Sequence, residues 1–167
     1  LAPTRQGHPH GPQAHEGTII TEHVETMGGT DRTATCTRQE GQGAICIAVD
    51  HGSAACGGIH AAKQGTRFEA LEPIRQGIHT HLGALAQDIA QGLVLRHDHG
   101  SQYMSHVFQE ELTFLGITSS PAFVREPEGN GCAERFIRTL KENLLWLQTF
   151  DTVEELCLAL HAFQRQY

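Results

Sequence analysis

No stretch of the sequence approaches the roughly 20 consecutive apolar residues that span a bilayer, which excludes a helical membrane protein. No charged-then-apolar leader stands at the start, so a cytoplasmic location is expected. None of the five cysteines (Cys36, Cys46, Cys56, Cys132, Cys157) forms a C-x-x-C pair, and their number is odd. A disulfide scaffold and a Cys-based zinc module are both excluded on that pattern. The twelve histidines include H-x-H pairs at 8/10, 79/81 and 97/99, but no H-E-x-x-H accompanies them. A histidine-ligated metal hydrolase is therefore only a rival reading. Basic residues are scarce: 12 Lys and Arg stand against 19 Asp and Glu, for a net charge of −7 and a pI of about 5.9. That balance disfavours bulk electrostatic attraction to polyanions. No internal repeat is present.

What is there fits one globular domain. The 167 residues are 39% hydrophobic and 19% charged. Residues 1–17 are rich in Pro, Gly, Gln and His without apolar periodicity, and read as a linker or tail, with the domain over 18–167. Thr30 to Thr37, Ala44 to Val49 and Ala54 to Ala62 read as three strands joined by short turns, an antiparallel meander. Thr66-x-x-Glu69 resembles a capping box, but Pro73 argues for a helix starting at Leu71 or Glu72. Gly92 to His97 reads as a buried strand. Ser105 caps a helix with Phe108, Leu112 and Leu115 inward and Gly116 as its stop. Ile117 to Ser120 is a short strand, followed by a Pro/Gly loop over 121–131. A helix from Cys132 to about Leu147 carries a stripe of Ala133, Phe136, Ile137, Leu140, Leu144 and Leu147. Thr152-x-x-Glu155 opens a last helix with Val153, Leu156, Leu160, Phe163 and Tyr167 inward. The order β-β-β-α-β-α-β-α-α gives an α/β domain, a mixed five-stranded sheet flanked by helices, with the pattern of the ribonuclease H-like fold.

Three carboxylates invite a chemical reading. Asp98, in H-D-H-G-S-Q-Y, follows a strand at the end where α/β sheets bind ligands. Glu134 lies in the first turn of the long helix, on a face shared with Arg138 and Lys141. Asp31 sits inside a strand of Thr and Ala, where aspartate is disfavoured. Each has an ordinary explanation alone: a turn residue, a charge favourable at a helix start, an edge-strand charge. Asp50 rivals Asp31 but stands at a turn, where aspartate is common.

Taken together they carry more, because 35 residues separate Asp98 from Glu134. An aspartate on the first strand, a second after the fourth strand, and a glutamate 35 residues on resembles the D-D-35-E pattern of retroviral-type integrases and insertion-sequence transposases. D-H-G-S-Q-Y-M-S-H-V-F, S-S-P-A-F-V-R-E-P-E-G-N-G-C-A-E-R-F-I-R-T-L-K-E-N-L and F-D-T-V-E-E-L are similar to the integrase core of bacterial transposases related to insertion sequence three. The likeness covers about residues 18–167.

The resemblance implies a polynucleotidyl transferase that cleaves and joins DNA in transposition. Asp31, Asp98 and Glu134 match the catalytic, metal-holding triad. Hard carboxylate oxygens suit two Mg²⁺ or Mn²⁺ ions. Lys141 matches a basic residue that contacts DNA, and Asn130 with Gly131 matches the N-G before the glutamate. Arg125 and Arg138, with Arg135, add basic charge around the cleft, so Lys141, Arg138, Asn130 and Arg125 are the expected DNA contacts. The expected partners are element ends and target DNA, further copies of the chain, and an upstream DNA-binding segment or partner protein. The expected setting is the bacterial nucleoid, and the core is expected to be truncated at its C-terminal end. Where the family has tryptophan three residues before the first aspartate, this sequence has Gly28, which implies a packing defect, and Gly29 is expected to loosen the strand. The alternative is therefore a decayed integrase-fold domain that retains only nucleic-acid binding or self-association.

Overall fold

The computed structural model describes residues 27–122 and 130–167. The expected linker over 1–17, the boundary at 18 and Arg125 lie outside the described residues. Strands β1 (Met27–Thr37), β2 (Gly41–Asp50) and β3 (Cys56–Ala62) form the expected antiparallel meander. Two short strands, β4 (Val94–His97) and β5 (Thr118–Pro121), add in parallel beside β1. The sheet order is β3-β2-β1-β4-β5. The helices are α1 (Arg67–Leu82), α2 (Ser101–Met104), α3 (His106–Leu115), α4 (Gly131–Leu140) and α5 (Val153–Gln166). None of the described helices is long and apolar enough to cross a membrane.

Alternation along the strands divides the core in two. Ile45, Ile47 and Val49 of β2 pack against α4 and α5 through Phe136, Leu140, Leu156 and Leu160. Cys46 and Leu95 face the other way, against Leu71, Ile74 and Ile78 of α1 and Phe108 and Leu112 of α3. Each cluster removes a dozen or so apolar side chains from water, at about 25 cal/mol per Å² of buried area.

Several sequence expectations need correction. Helix α1 starts at Arg67 and runs through Pro73, which the sequence had argued against. The Thr66 hydroxyl donates to Glu69, and Thr66 O accepts from Ala70 N at 3.0 Å, so the first turn is already built before the proline. The proline stays because α1 docks closely on β3. A Cβ on Gly58 would stand 1.9 Å from Pro73 O, so only glycine admits the helix there. The short α2 was not anticipated. The long helix is α-helical only to Leu140, and a π turn occupies Lys141–Leu145. One extra residue in that turn rotates the side chains beyond it. Leu145 is therefore buried, while Leu147, expected inward, is 72% exposed. Tyr167 is half-exposed and packs edge-on against Phe136 at 4.9 Å. Helix α3 matches expectation: Ser105 accepts from Phe108 N, and Gly116 closes it in the left-handed region.

Candidate active site at the end of β4

Strands β1 and β4 run parallel with Met27 beside Val94, Gly28 beside Leu95 and Gly29 beside Arg96. The same offset separates 31 from 98, so the register carried two residues further sets Asp31 beside Asp98. Laterally paired residues in a sheet point to the same face. That face is the one α4 covers, since Asp31 lies opposite Ile47, a member of the α4–α5 core. Glu134 stands in the first turn of α4, and its N–H donates to Asn130 O at 3.1 Å.

The start of α4 is tied to β1 one residue before Asp31. Asn130 is buried, and its Nδ2 donates to Thr30 O at 3.0 Å. Asn130 was expected to contact DNA. It is buried, and its bond to the β1 backbone ties the start of α4 to the sheet. Thr30 itself is buried and donates to Ile47 O at 2.8 Å on the opposite face of the strand.

The three carboxylates affect one another. Asp31 is half-buried, and its carboxyl is pushed up from 3.8 to about 6. Burial is the largest cause. Asp98 and Glu134 raise it further, while a hydrogen bond from Arg32 N at 2.8 Å and the Arg32 charge oppose the rise. Asp98 is exposed and holds its loop by accepting from Gly100 N at 2.6 Å. Glu134 is exposed. An all-oxygen, anionic donor set facing one space suits a hard divalent cation. Among the described residues, however, no three His, Cys, Asp or Glu side chains close tightly enough to hold an ion. The common site thus rests on register and electrostatics rather than on coordination distances.

Arg135 and Arg138 are exposed on α4, and Lys141 opens the π turn. The ion pairs among the described residues are Arg38–Asp151, Lys63–Glu40 and Arg75–Glu111, so none of these three cations is paired there. Asp50 is the turn residue it was read as: it accepts from Ser53 N at 2.7 Å and Gly52 N at 3.3 Å.

The two described histidine pairs do not form metal sites. His97 is fully buried, and its Nδ1 donates to Asp98 O at 2.6 Å, which leaves Nε2 to accept from Ser119 Oγ at 2.6 Å. It anchors the end of β4 under Asp98. His79 and His81 are two residues apart on α1, on different sides of a helix. The pair at 8/10 lies outside the described residues.

Gly28 and Gly29 behave differently from each other. Gly28 lines an apolar cleft of about 340 Å³, walled by Ile74, Ile78, Leu93 and Leu95, which is the expected packing defect. Gly29, expected only to loosen the strand, is where two side chains enter. A Cβ there would lie 2.5 Å from Asn130 Oδ1 and 2.6 Å from His51 Nε2. Sequence reasoning missed His51 altogether. It sits in an ordinary D-H-G-S turn, and no spacing links residue 51 to residue 130.

No protein-family model and no curated protein matches the chain. Solved structures do. The catalytic core domain of BIV integrase superposes with a TM-score of 0.57 at 23% identity, covering 81% of this chain and 80% of that one. The HTLV-2 integrase catalytic core domain in complex with magnesium gives 0.53 at 23%, over 71% and 68%. The catalytic domain of Mos1 mariner transposase gives 0.65 at 12%, over 86% and 71%. The chain has the ribonuclease H-like fold of these integrase and transposase catalytic cores.

Proposed function

We propose that this chain is the catalytic core of a DNA transposase or integrase, a polynucleotidyl transferase related to the transposases of insertion sequence three. The observation that carries the reading is the β1–β4 register, which, carried two residues past Gly29 and Arg96, would set Asp31 alongside Asp98 on the face where Glu134 starts α4. The fold supports it, since the BIV and Mos1 neighbours are themselves integrase and transposase catalytic cores.

Asp31, Asp98 and Glu134 are the residues that would hold divalent metal, Mg²⁺ or Mn²⁺, in two sites. Bound ions would offset charge on the attacking and leaving oxygens of an in-line displacement at phosphorus. Asp31 is half-buried, and its raised proton affinity comes first from burial, with the Asp98 and Glu134 charges adding to it against the Arg32 charge. Asp98 is set by His97 beneath it and Gly100 N beside it, so its placement is rigid although exposed. Arg138 and Lys141 continue along α4 and offer their charge to the phosphates of the strand. In the first step a water oxygen bonds to phosphorus and the bond to the 3′-oxygen breaks, freeing a 3′-hydroxyl. In the second, that hydroxyl attacks a target phosphodiester. Each step exchanges one P–O bond for another, with no covalent enzyme intermediate.

With a net charge of −7, the chain has little general affinity for DNA. Recognition of element ends is assigned to an upstream DNA-binding segment or partner protein, and assembly on DNA to further copies of the chain. The test is nicking of supercoiled plasmid with Mn²⁺ or Mg²⁺ at low salt. Asp98→Asn and Glu134→Gln should each lower the rate by about 100-fold or more without lowering the melting temperature. Nicking that survives both substitutions would refute the assignment.

A further inference from the structure

Buried polar groups almost always find partners. Among the described residues the buried side-chain atoms without one are His51 Nε2, Asn130 Oδ1, Arg96 Nε and Tyr103 Oη. The first two lie within 2.6 Å of the point where a Cβ on Gly29 would stand, and Arg96 is the β4 neighbour of Gly29. His51 is fixed at both ends of its backbone. Its N–H donates to Met27 O on β1 at 2.9 Å, and its carbonyl faces Cys132 Sγ of α4 at 3.9 Å.

We infer that the His51 Nε2–H donates to Asn130 Oδ1, and that this bond holds the first turn of α4 against β1, so that His51 and Asn130 are positioning residues for Glu134. Donor and acceptor roles agree. The amide of Asn130 already donates through Nδ2 to Thr30 O, which leaves its Oδ1 as an acceptor. A neutral imidazole carries one N–H, and placing it on Nε2 satisfies both orphaned atoms at once. Burial and the nearby Arg96 hold His51 below its ordinary pKa, so the neutral form is the one present at neutral pH. The chain His51–Asn130–Thr30 then ends one residue before Asp31. Gly29 is required because any side chain would occupy the space where the two groups meet. The bond rests on the convergence of these two unpartnered atoms at Gly29, independently of the proposed function. Its effect on Glu134 rests on the proposed transposase or integrase function.

The experiment has two arms on the whole chain. In the first, ¹⁵N-histidine labelling should show His51 as the Nε2–H tautomer, with a slowly exchanging proton whose signal moves in Asn130→Ala. The Nδ1–H tautomer, an unmoved signal, or an Arg96 Nε–H coupled to Asn130 in place of the imidazole would overturn the inference. This arm needs no catalysis, and its tautomer and proton-exchange readings use the unaltered chain, so a variant that fails to fold does not obscure them. In the second, His51→Ala should lower kcat for metal-dependent nicking by about tenfold with KM unchanged, and His51→Gln, which keeps a donor, should restore much of it. Equal loss in both variants would overturn the positioning role. An unaltered chain that never nicks DNA would count against the proposed function, while the first arm still decides the bond.

Discussion

Gly28 and Gly29 are neighbours on β1, yet they face different halves of the molecule. Gly28 opens toward α1 and leaves an apolar cleft of about 340 Å³ in that layer. Gly29 faces α4, and the missing side chain is replaced there by His51 and Asn130. One glycine leaves space unfilled and the other makes room for a contact. The two faces differ in the same way throughout. The α1 side is a hydrophobic layer with a gap, whereas the α4 side carries carboxylates, a buried asparagine and exposed cations. The proposed chemistry lies on the α4 face.

Alanine substitution should separate the two positions. Gly29→Ala forces its Cβ against Asn130 and His51 and must displace one of them, so a loss of about 2–4 kcal/mol is expected in denaturant titration. Gly28→Ala meets Val49 O at 3.3 Å and Leu95 Cδ1 at 3.6 Å, a mild crowding, and should stay within about 1 kcal/mol of the parent. Equal costs at the two sites would dissolve the contrast between the faces.

Asp31 sharpens it further. A carboxyl whose folded pKa is raised binds more protons folded than unfolded, so stability falls as pH rises. For Asp31 the fall should run from about pH 4 to about pH 6 and persist above it. Asp31→Asn should remove that slope and stabilise the chain above pH 6 by on the order of 1–2 kcal/mol, after allowance for its partial exposure, with no gain below about pH 4. Thermal melts across pH 3.5–8 check the sign. Mn²⁺ should raise the melting temperature of the parent more than that of the variant.

The elements were largely legible because their signals are local. The Ser105 and Thr152 caps, the Gly116 stop and the apolar run Ala44 to Val49 each act within a few residues. The carboxylates were singled out through spacing and resemblance, and the β1–β4 register, carried two residues further, agrees with Asp31 and Asp98 as neighbours. The features that were not legible depend on contacts distant in sequence. Pro73 stays inside α1 because Gly58, on another element, admits its carbonyl. The π turn at Lys141–Leu145 shifts burial by one residue, which no periodicity of α-helical type anticipates. Asn130 was expected at the DNA from its match to the N-G before the glutamate, whereas its neighbours in space are Thr30 and His51.

The gap on the α1 side gives a smaller effect of opposite sign. Gly77 lines the cleft from within α1, and a Cβ there would rest 3.5 Å from Gly57 O, an ordinary contact. Gly77→Ala should raise stability by about 1 kcal/mol, because alanine is the better helix former by about that amount. For a chain of this length the melting temperature should rise by roughly 2–4 °C. A loss would mean that the cleft closes in solution and that α1 then presses against β3 at Gly57.

The weakest expected effect compares an unpaired cation with a paired one. Lys141 lies seven residues after Glu134, at the junction of α4 with the π turn, and has no ion-pair partner among the described residues. Lys63 comes just after β3 and pairs with Glu40 at 3.0 Å, away from the carboxylates. If DNA runs along α4, Lys141→Ala should remove about one phosphate contact. The slope of log affinity against log salt would then fall by about one unit, equally for cognate and scrambled sequences. Lys63→Ala should leave the slope unchanged, since its charge is already offset and its surface lies off the proposed path. Both can be read from fluorescence anisotropy titrations at several salt concentrations. The single-contact change sits close to the resolution of that measurement, so the contrast between the two variants is the quantity to test. Matching slopes for Lys141→Ala and the parent would move the DNA path off α4, even if the carboxylates keep their role.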